Sequence, residues 1–147
     1  MNEEEIKILS IGIVSSRFNN EIVEKISKAC ISRLLALGVR KKNITHKTVP
    51  GALEIPIALQ KMTKSESTID VMIAIGLVIR GDTYHFEIVS NESASGIMRV
   101  QLDNSIPIIN AVLTTNSSTE ALLRVNIKGE EAAEGAVEMA LKNYRNE

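Results

Sequence analysis

The stretch Gly76-Leu-Val-Ile-Arg-Gly-Asp-Thr-Tyr-His85 gathers two glycines, a threonine and one of the chain's two histidines within ten residues. An apolar run, Ile69 to Ile75, stops just before it, and a long amphipathic pattern follows. A strand that ends there and turns into a helix would aim backbone N–H groups at a bound anion, and a helix N-terminus favours negative charge. A histidine one turn in can carry a proton near neutral pH. The chemistry on offer is anion binding with an acid/base beside it. Gly76 and Gly81 have the Gly-x4-Gly spacing of a nucleotide-binding P-loop, but the lysine that should come next is Asp82. An acid there repels a triphosphate, which excludes a nucleotide triphosphatase. One small phosphate held by the loop's backbone, with the Thr83 hydroxyl added, stays open. So does a plain β–α turn in which Asp82 or Thr83 caps the helix.

Other residues compete in the same way between chemistry and structure. Phe18, in Ser15-Ser-Arg-Phe-Asn19, is conspicuous because aromatic residues make up only 3% of the chain. It could stack on a flat ligand or staple the start of the first helix. Gly51 and Ala52 let a ligand approach the backbone. Glu54 could bind sugar hydroxyls, although the dipole of a helix start already explains a carboxylate there. His85 is either a satisfied polar residue of a first turn or a proton carrier, and its place beside an anion loop favours the second. His46, inside a predicted strand, reads as structural or exposed. Arg124 closes Thr119-Glu-Ala-Leu-Leu-Arg124 as a helix-end cation. It becomes a bidentate phosphate clamp only if something brings it near the loops.

The elements that must position these residues follow from hydrophobic period. Lys7 to Val14 reads as a strand. From Asn20, Ile22, Ile26, Ala29, Cys30, Leu34 and Leu37 recur at helical spacing, and Gly38 is a C′ stop. Ile44 to Val49 is a second strand, punctuated by Pro50-Gly51. Leu53 to Met62 is a helix with Pro56 tolerated near its first turn. Ile69 to Ile75 is a strand covered on both faces. Tyr84 to Leu102 is a helix with Phe86, Val89, Ser93, Ile97 and Val100 on one side. Ile106 to Leu113 is the fourth strand. Ser118 to Arg124 and Lys128 to Tyr144 are helices, the last burying Ala132, Ala133, Ala136, Val137, Ala140 and Leu141. Such alternation predicts an α/β fold: a three-layer, flavodoxin-like, four-stranded parallel sheet with right-handed crossovers and helices on both faces. Ligands in such a fold sit beyond the C-terminal strand ends. The loops that qualify are 15–19, 50–54, 76–85 and 114–118.

A chain of 147 residues fits one domain, 1–147, with a sizeable core. A net charge of −1 offers no footprint for nucleic acid. No apolar run is long enough for a bilayer, and the acidic Met-Asn-Glu-Glu-Glu start is unlike a signal or transit peptide. A cytoplasmic protein is expected. The one cysteine, Cys30, lies on an apolar helix face and reads as a buried structural thiol. One cysteine and two scattered histidines make no readable metal cluster.

Four motifs, in order, carry a resemblance: Ser16-Arg-Phe-Asn19, Val49-Pro-Gly-Ala-Leu-Glu-Ile-Pro56, Gly76 to Phe86, and Leu113-Thr-Thr115 followed by Ala121 and Arg124. From about Ile8 to Met139 the chain resembles the 6,7-dimethyl-8-ribityllumazine synthase family, which performs the penultimate step of riboflavin biosynthesis. The resemblance implies condensation of 5-amino-6-ribitylaminouracil with 3,4-dihydroxy-2-butanone 4-phosphate, with no metal or organic cofactor. It further implies that Phe18 stacks on the pyrimidine and that Ala52, Leu53 and Glu54 line the ribityl and ring site. Leu77, Val78 and Ile79 would offer backbone groups to the pyrimidine. Gly81, Asp82 and Thr83 would bind phosphate, His85 would carry the proton, and Arg124 of a neighbouring subunit would grip the phosphate. A homopentamer with sites between subunits is implied. Some family members assemble pentamers into icosahedral shells, and association with riboflavin synthase is a further expectation.

Two departures stand out. Asn110, in Pro107-Ile-Ile-Asn110-Ala-Val, occupies the position of an aromatic that forms the other side of the ring sandwich, and it could hydrogen-bond the pyrimidine edge instead. The family's loop Ala-Gly-x-Lys-x-Gly-Asn-Lys-Gly after the arginine is shortened here to Val125-Asn-Ile-Lys-Gly129. Rival readings are an archaeal-type riboflavin synthase, a non-catalytic lumazine- or flavin-binding shell protein, and a flavodoxin-like electron carrier. The carrier would want a hydroxyl-rich phosphate loop after the first strand in place of Ser-Ser-Arg-Phe-Asn.

Overall fold

Alternating burial along the strands sets the layers. In the computed structural model, which describes residues 3–65 and 68–144, β1 (Ile11–Ser16) and β3 (Val71–Ile79) are buried almost throughout. They pair in parallel at the centre of the sheet. β2 (Ile44–Val49) flanks β1, and β4 (Ile108–Thr115) flanks β3, giving the all-parallel order β2-β1-β3-β4. Successive side chains leave opposite faces of a strand. Ile11, Ile13, Val71, Ile73, Ile75 and Leu77 meet the apolar faces of α2 (Asn20–Leu37) and α6 (Val125–Tyr144). Val14, Met72, Ala74 and Val78 meet α3 (Ile55–Thr63) and α4 (His85–Asn104). This is the three-layer arrangement that the sequence pattern predicts. No helix among the described residues is long and apolar enough to cross a membrane.

Helix boundaries follow local chemistry. Gly38 ends α2 at φ 112°, and its N–H donates to Leu35 O at 3.1 Å. That backbone strongly favours glycine. α5 (Ser118–Leu122) is capped by Ser117, whose Oγ accepts from Glu120 N at 3.1 Å. Cys30 lies fully buried on α2. Burial pushes its thiol up to about 12, which keeps it protonated and inert.

Three expected boundaries are displaced. Glu3–Lys7 forms a short helix, α1, instead of leading into a strand at Lys7, and β1 begins at Ile11. Three glutamates in the first turn suit a helix N-terminus, and Ile6 anchors the segment in the core. β3 runs on through Gly76 to Ile79, so half of the expected anion loop is strand. Gly76 serves packing there: a Cβ would lie 2.8 Å from Ser16 Oγ. Finally, Val125 to Gly129 is no connection at all. α6 begins at Val125, and Lys128 N donates to Arg124 O at 2.9 Å. Gly129, inside the helix expected from Lys128, marks close helix contact, since a Cβ would stand 2.6 Å from Ile26 O on α2.

Candidate active site

The chain leaves β1 toward one side of the sheet and β3 toward the other. A crevice opens beyond the C-terminal ends of strands at such a switch point. A cavity of about 380 Å³ lies there. Phe18 and Asn19 line it from the end of β1, and Gly51 to Glu54 from the turn after β2. Leu77, Val78 and Ile79 contribute the end of β3, with His85 and Val89 from the first turns of α4.

Each wall has a local cause. Main-chain bonds continue the β1–β2 pairing past the strands: Arg17 N donates to Val49 O at 2.8 Å and Phe18 N to Pro50 O at 3.0 Å. This lays the Phe18 ring over Gly51, where a Cβ would sit 2.9 Å from Phe18 Cδ2. The ring itself is 68% exposed, an unusual state for a phenylalanine in so aromatic-poor a chain. None of the described residues covers the outer face, which leaves it open to a flat ligand. Asn19 adopts φ 60°, ψ 40°, a conformation asparagine tolerates. Its Nδ2 donates to Leu77 O at 3.4 Å, tying the two strand ends together.

Glu54 serves the helix start, as expected of a carboxylate there. Its Oε1 accepts from Gly51 N at 2.8 Å and closes the turn that starts α3. Its second carboxylate oxygen is left for a hydroxyl donor. His85 opens α4, and its backbone N–H donates to Thr83 Oγ1 at 3.3 Å. Tyr84 stands at the N-cap with no side-chain cap bond, so neither Asp82 nor Thr83 is the cap, and Thr83 only closes the turn before the helix. The imidazole has no hydrogen-bond partner among the described residues and faces the cavity.

Gly81, Asp82 and Thr83 lie exposed between the end of β3 and His85 and do not line the cavity, although Ile79 and His85 on either side of them do. A Cβ at Gly81 would meet nothing within 4 Å, so its backbone is open to a ligand. Asn110 and Arg124 are likewise not brought to the cavity of their own chain. Asn110 lies exposed on the edge strand β4, with Oδ1 accepting from Val112 N at 2.9 Å. Arg124 stands at the α5–α6 junction, with Nη1 donating to Glu120 O at 3.1 Å. Val89 is a lining residue that the motifs left without a role, hidden in sequence because it also reads as core. Gly51, expected to let a ligand approach the backbone, also seats the Phe18 ring. His46 lies away from the cavity: its Nε2 is 2.8 Å from Ser15 Oγ, and desolvation lowers its pKa.

Residues 8–143 match the sequence profile described as 6,7-dimethyl-8-ribityllumazine synthase. The chain belongs to the 6,7-dimethyl-8-ribityllumazine synthase family. A protein of that name from Paracidovorax citrulli is 54% identical over 132 residues, covering 90% of this chain and 85% of the relative. One from Neisseria meningitidis serogroup C strain FAM18 is 57% identical over 134 residues, covering 91% and 84%. One from Nitrosospira multiformis is 55% identical over 132 residues, covering 90% and 82%. The match to lumazine synthases spans every strand and every cavity-lining residue described above.

The seat beneath Phe18 gives a direct check on the stacking face. Gly51 has φ −140°, a backbone any residue adopts, so Gly51→Ala acts through contact alone. Its methyl group displaces the exposed ring without touching the core. Lumazine synthase activity should survive with a pyrimidine KM raised by about tenfold, the worth of a ring stack. Steady-state titration of each substrate measures it. An unchanged pyrimidine KM would mean that the ring stacks on nothing.

Proposed function

We propose that this enzyme is a 6,7-dimethyl-8-ribityllumazine synthase that condenses 5-amino-6-(D-ribitylamino)uracil with 3,4-dihydroxy-2-butanone 4-phosphate. The observation that carries the reading is the cavity at the switch point. It sets an exposed aromatic face, a half-engaged carboxylate and a free imidazole beside a bare helix-entry loop. The pyrimidine stacks on Phe18 and hydrogen-bonds the backbone of Leu77, Val78 and Ile79. Ala52 and Leu53 line the ribityl chain, and the free oxygen of Glu54 accepts from its hydroxyls. The phosphate lies on Gly81, Asp82 and Thr83 at the start of α4, where the helix dipole and open N–H groups favour it. The carboxylate of Asp82 must then face away from the phosphate.

The 5-amino group attacks the ketone, and water leaves to give the imine. His85 takes the proton from the carbon beside the imine as the C–O bond to phosphate breaks. The resulting enol returns to a ketone. The ribityl-bearing nitrogen closes on that carbonyl, and loss of a second water completes the ring. Every step is a proton transfer or a bond formation between held partners, so orientation supplies much of the rate.

Arg124 and Asn110 reach a pocket when a neighbouring copy supplies them. Support comes from two apolar surfaces. One borders the cavity, with Leu53 42%, Ile57 54%, Tyr84 69% and Ile88 45% exposed. The other flanks Arg124, with Leu122 45%, Leu123 77% and Ile127 63% exposed. Two different patches that cover each other make a head-to-tail contact, which closes into a ring. We assign the ring as a pentamer, with Arg124 gripping phosphate across each interface.

The test is complementation. Wild-type protein given both substrates should form fluorescent lumazine at an enzymatic rate, lost when the phosphate substrate is omitted. His85→Ala and Arg124→Ala should each be impaired at low phosphate substrate. Co-expressed in equal amounts, they regain activity, because roughly a quarter of the sites in a random ring pair an intact pocket with an intact arginine. Activity no higher than the sum of the two variants would put Arg124 outside the neighbour's site.

A further inference from the structure

Arg80 immediately precedes the anion loop, yet its guanidinium is committed elsewhere. Its Nε donates to Asn116 Oδ1 at 2.8 Å, and Nη1 pairs with Glu87 Oε1 at 2.5 Å. The guanidinium also stacks over Phe86, 4.3 Å from the ring centroid. Its backbone N–H donates to Thr115 O at 2.8 Å. A guanidinium held on three sides is a strut, not a free ligand for phosphate.

The contacts continue beyond Asn116. Asn116 N donates to Glu120 Oε2 at 3.1 Å. Glu120 in turn holds Arg124 twice: its carbonyl accepts from Nη1 at 3.1 Å, and its Oε1 lies 3.8 Å from the same nitrogen. One network therefore joins the root of the anion loop, the end of β4 and the guanidinium of Arg124. Exposed ion pairs of this kind add little stability. Their effect is geometric, since a guanidinium binds phosphate in bidentate fashion only when presented at the right angle.

We propose that Asn116 and Glu120 are positioning residues that fix the anion loop and Arg124 relative to each other. This rests on the assignment of both to phosphate. In a ring where Arg124 serves the neighbour, the loop and the arginine joined by this network belong to two successive sites. One chain then sets the phosphate end of the site on either side of it.

Asn116→Leu removes the acceptor for Arg80, Asn116→Asp keeps one, and Glu120→Ala removes the carboxylate that links Asn116 N to Arg124, leaving Arg124 only the carbonyl of residue 120. Asn116→Leu and Glu120→Ala should each raise the KM for the phosphate substrate, and the inhibition constant of inorganic phosphate, by about fivefold to tenfold. The pyrimidine KM and kcat should stay within about twofold of wild type. Asn116→Asp should match wild type. The double variant should be no worse than the weaker single one, because both changes break one unit. A purely structural role would move both KMs together or leave Asn116→Asp as impaired as Asn116→Leu, and either result overturns the proposal. So do unchanged constants or additive losses. Wild-type protein that makes no lumazine would overturn the function itself, an outcome distinct from normal kinetics in the variants.

Discussion

Replacing His85 with alanine should lower kcat by about a hundredfold to ten-thousandfold, the usual worth of a positioned acid/base. The residue is exposed, opens α4 and has no side-chain partner among the described residues, so no packing is lost with the ring. Its backbone N–H keeps its bond to Thr83 Oγ1. Assembly and thermal stability should therefore match wild type while turnover collapses. The substrate KM values should move little, because phosphate and pyrimidine are held by other groups. Steady-state lumazine fluorescence, read beside size-exclusion chromatography, separates these effects. Full activity in the variant would remove His85 from the mechanism. Loss of assembly together with activity would recast it as a contact residue.

Gly129→Ala should destabilise the protein by roughly 1–2 kcal/mol, against the gain of about 1 kcal/mol that helix propensity alone predicts. The new methyl would meet Ile26 O at 2.6 Å, Ala29 Cβ at 2.7 Å and Cys30 N at 2.9 Å. Two of these atoms belong to the backbone of α2, and no rotamer change relieves them. Gly135→Ala, in the same helix, is the control. Its methyl would meet only Ile109 Cδ1, at 3.6 Å, an ordinary contact. That variant should gain about 0.5–1 kcal/mol. Thermal denaturation under one set of conditions should move the two midpoints in opposite directions, each by a few degrees. Parallel shifts would mean that α2 and α6 are not in tight contact at Gly129.

The sheet and its covering helices were legible because apolar periodicity reports burial directly. β2 begins and ends where the pattern changes, and every residue expected on the buried face of α6 is buried. Glycine was harder to read. Gly38 is a stop signal and behaves as one, whereas Gly76, Gly51 and Gly129 make room for a neighbour that only the fold supplies. This is why Gly76, read from sequence as the start of a loop, lies within β3. The cavity was legible as a set of loops, and Phe18, Ala52, Leu53, Glu54, Leu77, Val78, Ile79 and His85 do converge. The role of Arg80 is hidden because sequence shows a cation beside a loop but not the three groups that hold its guanidinium. Arg124 and Asn110 lie outside the cavity of their own chain, and the function proposed for them needs a neighbouring copy, which sequence alone does not display.

The absence of a loop between Arg124 and Gly129 turns the placement of the arginine into a matter of phase. The helix that begins at Val125 is clamped to α2 at Gly129, and the carbonyl of Arg124 already accepts from Lys128 N. Each residue turns an α-helix by about 100°. Adding or removing a single residue between these points would leave Arg124 pointing away from its target or bring a side chain against α2. A looped connection can absorb such a change in length; this one transmits it as a rotation.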